Sequence, residues 1–212
     1  KTVPSVAAVA LLCAGSLTGL VFLQALGWSF LALLLCRSCF EFGPSRRLWR
    51  LIPILVCVFP WISSDFPGLS WLFRVSAAAF AVKVFSFLGF DVVREEMGFC
   101  VQGLMVHVTP DCSGMNSLQS MMIFGATMAY RLLPESGRYW LVLALLPLVA
   151  WLANAMRVVA VTVLAMVTDV EFASGQAHAI VGLVVLLGIF TAFTFSAFNL
   201  FRWTRAECAD PR

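Results

Sequence analysis

The chain has 212 residues, of which 61% are hydrophobic and only 12% charged, and its net charge is +3. An average soluble domain carries about a quarter charged residues, so a soluble globular enzyme is excluded. The small positive excess, spread over scattered arginines, also excludes nucleic-acid binding through a basic face. The seven cysteines are odd in number and lie mostly in apolar runs, as Cys13 and Cys57 do, so they form no secreted disulfide framework.

A helix needs about 20 apolar residues to cross the roughly 30 Å hydrocarbon layer, and uncharged apolar runs recur along this chain. The first, Pro4 to Cys36, follows Lys1 in the manner of a signal peptide. It is longer than a normal signal core and no small-residue cleavage site follows, so it reads as embedded in the membrane. As one helix it would measure about 50 Å; two helices broken near Gly19 or Gly27 are expected instead. Lys1 in place of Met is compatible with a piece of a longer protein, with a further domain or partner beyond this chain. Further apolar runs cover Leu51 to Ser64, Val75 to Phe90, Met115 to Tyr130, Tyr139 to Thr168 and Ala177 to Phe201, with Lys83 and Arg157 interrupting two of them.

The expected fold is therefore all-α, a polytopic transmembrane helical bundle of six to eight helices held in the lipid bilayer. Residues 1–90 form N-terminal membrane helices and residues 91–212 the core that carries the chemistry. One stretch reads differently. Between Asp91 and Asp111, Phe99 and Val101, then Leu104, Val106 and Val108, alternate around Gly103, which predicts a small hairpin at the membrane surface.

Orientation follows from the arginines. The loops 37–50 and 131–138 and the tail 202–212 hold Arg37, Arg46, Arg47, Arg50, Arg131, Arg138, Arg202, Arg205 and Arg212. Segments 91–111 and 169–176 hold Arg94 against Asp91, Glu95, Glu96, Asp111, Asp169 and Glu171. The positive-inside rule puts the acidic segments outside the cytoplasmic membrane. Residues 51–90 must then cross an odd number of times although two apolar runs lie there; Val75 to Phe90 lying along the surface is one way to reconcile the count.

Three side chains converge on the outward side. Cys112, in Pro110-Asp111-Cys112-Ser113-Gly114-Met115-Asn116, falls at the start of a membrane helix, where free amides and the helix dipole stabilise an anion. Arg157 interrupts an apolar run, at a cost of at least about 2.5 kcal/mol on insertion scales, which makes it paired or cavity-facing as a rule. Asn154 shares its helical face three residues earlier. Arg157 stands about 27 Å along the helix from Tyr139, near the outer interface. His178 follows the short loop 169–176 and heads the last apolar run, at the same depth. Taken singly, each has a plainer reading: a small residue packed at a helix end, an arginine snorkelling to headgroups, a structural interface histidine. Together they supply a nucleophile, an oxyanion stabiliser and a proton shuttle, the roles acyl transfer needs. The other histidine, His107, reads as surface, and no ligand cluster has metal spacing.

Cys112-Ser113-Gly114, then Asn154-x-x-Arg157, then His178 at the head of the last helix resemble the exosortase/archaeosortase family of membrane transpeptidases. The lead-in Leu88-Gly89-Phe90-Asp91-Val92-Val93-Arg94-Glu95 is similar to the family's as well. The likeness spans roughly residues 85–195; the first 80 residues agree only in being hydrophobic. Asn116-Ser117 departs from many members and leaves subfamily and substrate open.

The resemblance implies catalytic roles for Cys112 (nucleophile), Arg157 (stabilising cation) and His178 (acid/base), with Ser113, Gly114 and Asn154 supporting them or binding substrate. It implies no cofactor and no metal. The implied partners are exported proteins with a C-terminal tripartite sorting signal, PEP-CTERM-like in bacteria, which are cut and passed to a cell-surface acceptor. A rival reading takes Cys36-Arg37-Ser38-Cys39 as the C-x-x-C of a membrane thiol oxidoreductase, although the arginine count puts it on the cytoplasmic side. Another is a transporter or assembly subunit in which Arg157 binds an anion and Cys112 only packs.

Overall fold

The computed structural model describes residues 3–39, 48–133, 136–168 and 170–209. Arg46, Arg47, Asp169 and Arg212, which enter the orientation count, lie outside them. The described chain is overwhelmingly helical: α1 (Val3–Thr18), α2 (Val21–Cys39), α3 (Leu51–Val58), α4 (Trp61–Asp65), α5 (Pro67–Phe87), α6 (Met115–Leu132), α7 (Ser136–Val167), α8 (Val170–Ser174) and α9 (Gln176–Ala209). Between α5 and α6 lie three short strands, β1 (Val92–Arg94), β2 (Gly98–Val101) and β3 (Leu104–His107). Among the described residues four helices, α2, α5, α7 and α9, are long and apolar enough to cross a membrane, and α1 and α3 contribute shorter apolar segments. This is an all-α polytopic membrane protein.

Local chemistry places the breaks. The first apolar run turns at Gly19, whose φ of +74° suits a residue without Cβ. The run expected at 51–64 divides into α3 and α4 because Pro60 forces Phe59 into extended backbone, at φ −84° and ψ 143°, and ends α3. Pro67 in turn opens α5, at a helix start where the missing amide proton costs nothing. The run from Tyr139 to Thr168 is one helix of 32 residues that keeps Pro147 inside it.

The chain divides into two compact units, residues 1–69 with 119–143, and residues 70–118 with 144–212. In the first, Gly27 lets α2 approach α1: a Cβ there would stand 2.9 Å from the Ala8 carbonyl. Asp65 receives the amides of Val21 and Phe22 at 3.0 and 2.7 Å, satisfying two of the free donors at the start of α2. Tyr139 donates its hydroxyl to the Arg50 carbonyl at 2.7 Å, while Arg50 reaches the Leu133 carbonyl at the end of α6.

The second unit holds a core in which Ala77, Ala78, Ala81 and Phe85, one face of α5, meet Phe99, Val101 and Val108 of the strand region and Ala155, Val158 and Val159 of α7. The strands form an antiparallel sheet in the order β1-β2-β3. Val101 pairs with Leu104 across a two-residue turn in which Gln102 and Gly103 both have positive φ, +49° and +83°, the signature of a type I′ hairpin. The predicted hairpin around Gly103 is present; β1, paired through Val92 with Val101, extends it. On α9, Ile180, Leu183, Val184 and Leu187 remain exposed, the surface a helix offers to lipid.

Candidate active site

Cys112 sits where the sheet hands over to α6. A single 3-10 turn, Pro110–Cys112, carries it: the Cys112 amide donates to Thr109 O and the Ser113 amide to Pro110 O, both at 3.0 Å. Proline at the first position of that turn needs no hydrogen-bond partner for its nitrogen. Gly114 then takes φ +82°, and a Cβ on it would stand 2.5 Å from Asn154 Cγ. Both the backbone conformation and the close approach require glycine. Asn154, 1% exposed, donates from Nδ2 to Ser113 O at 3.3 Å. One turn of backbone next to the thiol is thereby tied to α7. The Asn154 Oδ1 is buried and has no partner among the described residues.

Arg157 lies three residues further along α7, on the face that carries Asn154. Its Nε is buried without a hydrogen-bond partner among the described residues. The side chain passes against α9 at Gly182, where a Cβ would stand 2.5 Å from Nε, 2.9 Å from Cζ and 3.0 Å from Cδ. His178, one helical turn before Gly182, brings its Nε2 to 2.9 Å from Cys112 Sγ, and the pair is half-buried.

Cys112, Arg157 and His178 line one cavity of about 350 Å³, within the range of small-ligand sites. Its walls are Leu104 to Thr109 from β3 and the segment after it, Val158, Val161, Thr162 and Ala165 from α7, and Val170 and Ala173 from α8. His107 is a lining residue here as well as an exposed one. Among the described residues no group of three His, Cys, Asp or Glu side chains gathers to hold a metal ion.

The structure brings the residues expected at the site close together: Cys112, Arg157 and His178 line the cavity, Ser113 and Gly114 continue the turn that carries the thiol, and Asn154 reaches that turn from α7. Sequence reasoning passed over Gly182; its position four residues after His178, on the same helical face, was the available signal. Elsewhere, Cys36 near the end of α2 is an exposed free thiol, and the side chain of Cys39 lies outside the described residues.

A helical membrane protein with a thiol and an imidazole in contact beside a half-buried arginine is the class these features define. Residues 3–195 match the family model described as transmembrane exosortase, and the chain belongs to that family. The match extends through the first 80 residues, where the sequence offered only hydrophobicity. No curated protein and no solved structure matches the chain significantly.

Proposed function

We propose that this exosortase-family protein is a cysteine transpeptidase that cuts C-terminal sorting signals of exported proteins, PEP-CTERM-like ones in bacteria, and transfers them to a cell-surface acceptor. The observation that carries this reading is the 2.9 Å approach of Cys112 Sγ to His178 Nε2, nucleophile and base within proton-transfer reach. With its own proton on Nδ1, His178 takes the thiol proton at Nε2 as sulfur attacks the scissile carbonyl. Arg157, which lines the same cavity, holds the oxyanion with its guanidinium. His178 then gives the proton to the leaving amine, and a thioester remains on Cys112. An incoming amine or hydroxyl loses its proton to His178, attacks the thioester and leaves as the acylated product, with the thiol restored.

Excluding water favours transfer over hydrolysis, and the apolar walls contributed by α7 and α8 serve that end. The outward placement of the site rests on the arginine distribution.

The test is to replace Cys112, Arg157 and His178 singly by alanine and follow C-terminal processing of exported proteins in cells. Each variant is expected to accumulate uncut substrate; normal processing in Cys112→Ala refutes the reading.

A further inference from the structure

One wall of the cavity is a strand whose outer side has no paired strand among the described residues. β3 ends the sheet, with β2 as its neighbour and none beyond among the described residues. Every residue from Leu104 to Thr109 borders the cavity, and Cys112 follows three residues later.

Register decides which backbone groups are unpaired. Residues flanking a two-residue hairpin turn exchange backbone hydrogen bonds, and the exchange recurs at every second position. Here the bonded pairs are Val101 with Leu104 and Phe99 with Val106. The series continues at Met97 with Val108, where the Val108 amide donates to Met97 O at 2.9 Å. The N–H and C=O groups of the intervening Met105 and His107 therefore point away from β2, toward the open edge. Beyond β3, the described lining residues include the Arg157 guanidinium and the His178 imidazole but no carboxylate. Such a lining suits an occupant rich in carbonyl oxygens.

The geometry points to the free edge of β3 as the substrate cradle: an extended peptide segment adds to the sheet as a fourth strand, its backbone paired with Met105 and His107, so that its scissile carbonyl reaches Cys112. This rests on the transpeptidase reading and gives it a mode of recognition. An unpaired strand edge is a template for another chain, and main-chain pairing supplies affinity without reading side chains. Alternate side chains of the added strand meet the small apolar wall of Val158, Val161 and Ala165. A helical segment cannot use this edge, because its own amides and carbonyls are already bonded to one another. The cut therefore falls in an extended stretch of the sorting signal, not within a helix.

Alkylation of Cys112 in the purified wild-type protein tests this without altering the fold. The probes are tri-alanyl chloromethyl ketone, the same peptide carrying one N-methylated amide at each position in turn, and iodoacetamide as a small thiol reagent. The rate at Cys112 is read by mass mapping. Methylation is expected to slow labelling about fivefold at alternate amides, the effect of losing one hydrogen bond, and to leave the intervening ones at the parent rate. A uniform response, all peptides slowed alike or none, overturns strand pairing. So does reaction with iodoacetamide but not with the peptide. If neither reagent modifies Cys112, the nucleophile assignment falls and the cradle with it.

Discussion

Replacing Gly182 by alanine separates chemistry from stability at this site. The added Cβ would stand 2.5 Å from Arg157 Nε, whereas ordinary contacts begin at 3.4 Å, so the guanidinium must move by roughly 1 Å. The atoms in the way belong to the outer part of a flexible side chain, so the helix itself need not shift. Alanine is favoured over glycine in a helix by up to about 1 kcal/mol, which offsets the crowding. In the proposed mechanism Arg157 meets the oxyanion, and a displacement of 1 Å at such a group costs about 10²-fold in rate. The assay pairs two readouts at matched expression: the rate at which exported substrate is cut, and the melting temperature of the purified protein. The expected result is a rate lower by about 10²-fold with no fall in melting temperature. Wild-type processing refutes the reasoning, because Arg157 then does its work from a position that Gly182 does not set. A parallel loss of rate and melting temperature refutes it too, since packing alone would account for both.

Arg157→Lys keeps the charge but loses the planar fork, and processing is expected to fall by about 10²–10³; an undiminished rate removes Arg157 from the oxyanion role. Asn154→Ala leaves the buried Ser113 carbonyl without its donor, a loss of about 1–3 kcal/mol in stability measured by denaturation in detergent. Gly114→Ala should destabilise through both its φ of +82° and the contact with Asn154. The double variant Gly114→Ala/Asn154→Ala is expected to be less destabilised than the sum of the two, because shortening Asn154 makes room for the new Cβ; strict additivity contradicts that contact. Replacing both Cys36 and Cys39 by serine should leave processing at the wild-type rate, and its loss would favour the thiol-oxidoreductase reading.

Much of this architecture is written in local chemistry. Gly19 breaks the first apolar run where a residue free to take positive φ was needed, and the alternation around Gly103 announces a hairpin that forms. β1 was not legible. Val92-Val93-Arg94 is too short and too charged to signal a strand, and it becomes one only because the far side of β2 is there to receive it. The run from Leu51 to Ser64 looked like a membrane helix because hydrophobicity was weighed without Pro60, which divides it. Pro147 has the opposite outcome: α7 continues through it.

At the site, Cys112, Arg157 and His178 stand out because each is an unusual residue for its surroundings. Asn154 could be paired with Arg157 by helical spacing. Its hold on the Ser113 carbonyl could not be foreseen, because it depends on the left-handed turn at Gly114. Gly182 and the edge of β3 were silent for a related reason. A glycine in an apolar run and the backbone of a strand carry no chemical label until the fold shows what they touch.

The most direct measurement is the covalent intermediate itself. Protein isolated from cells that also make a processed exported substrate should carry, on Cys112, an acyl adduct released by hydroxylamine, and His178→Ala or Cys112→Ala chains should carry none. A substrate cut at the normal rate with Cys112 replaced, or an adduct on a different cysteine, contradicts the account.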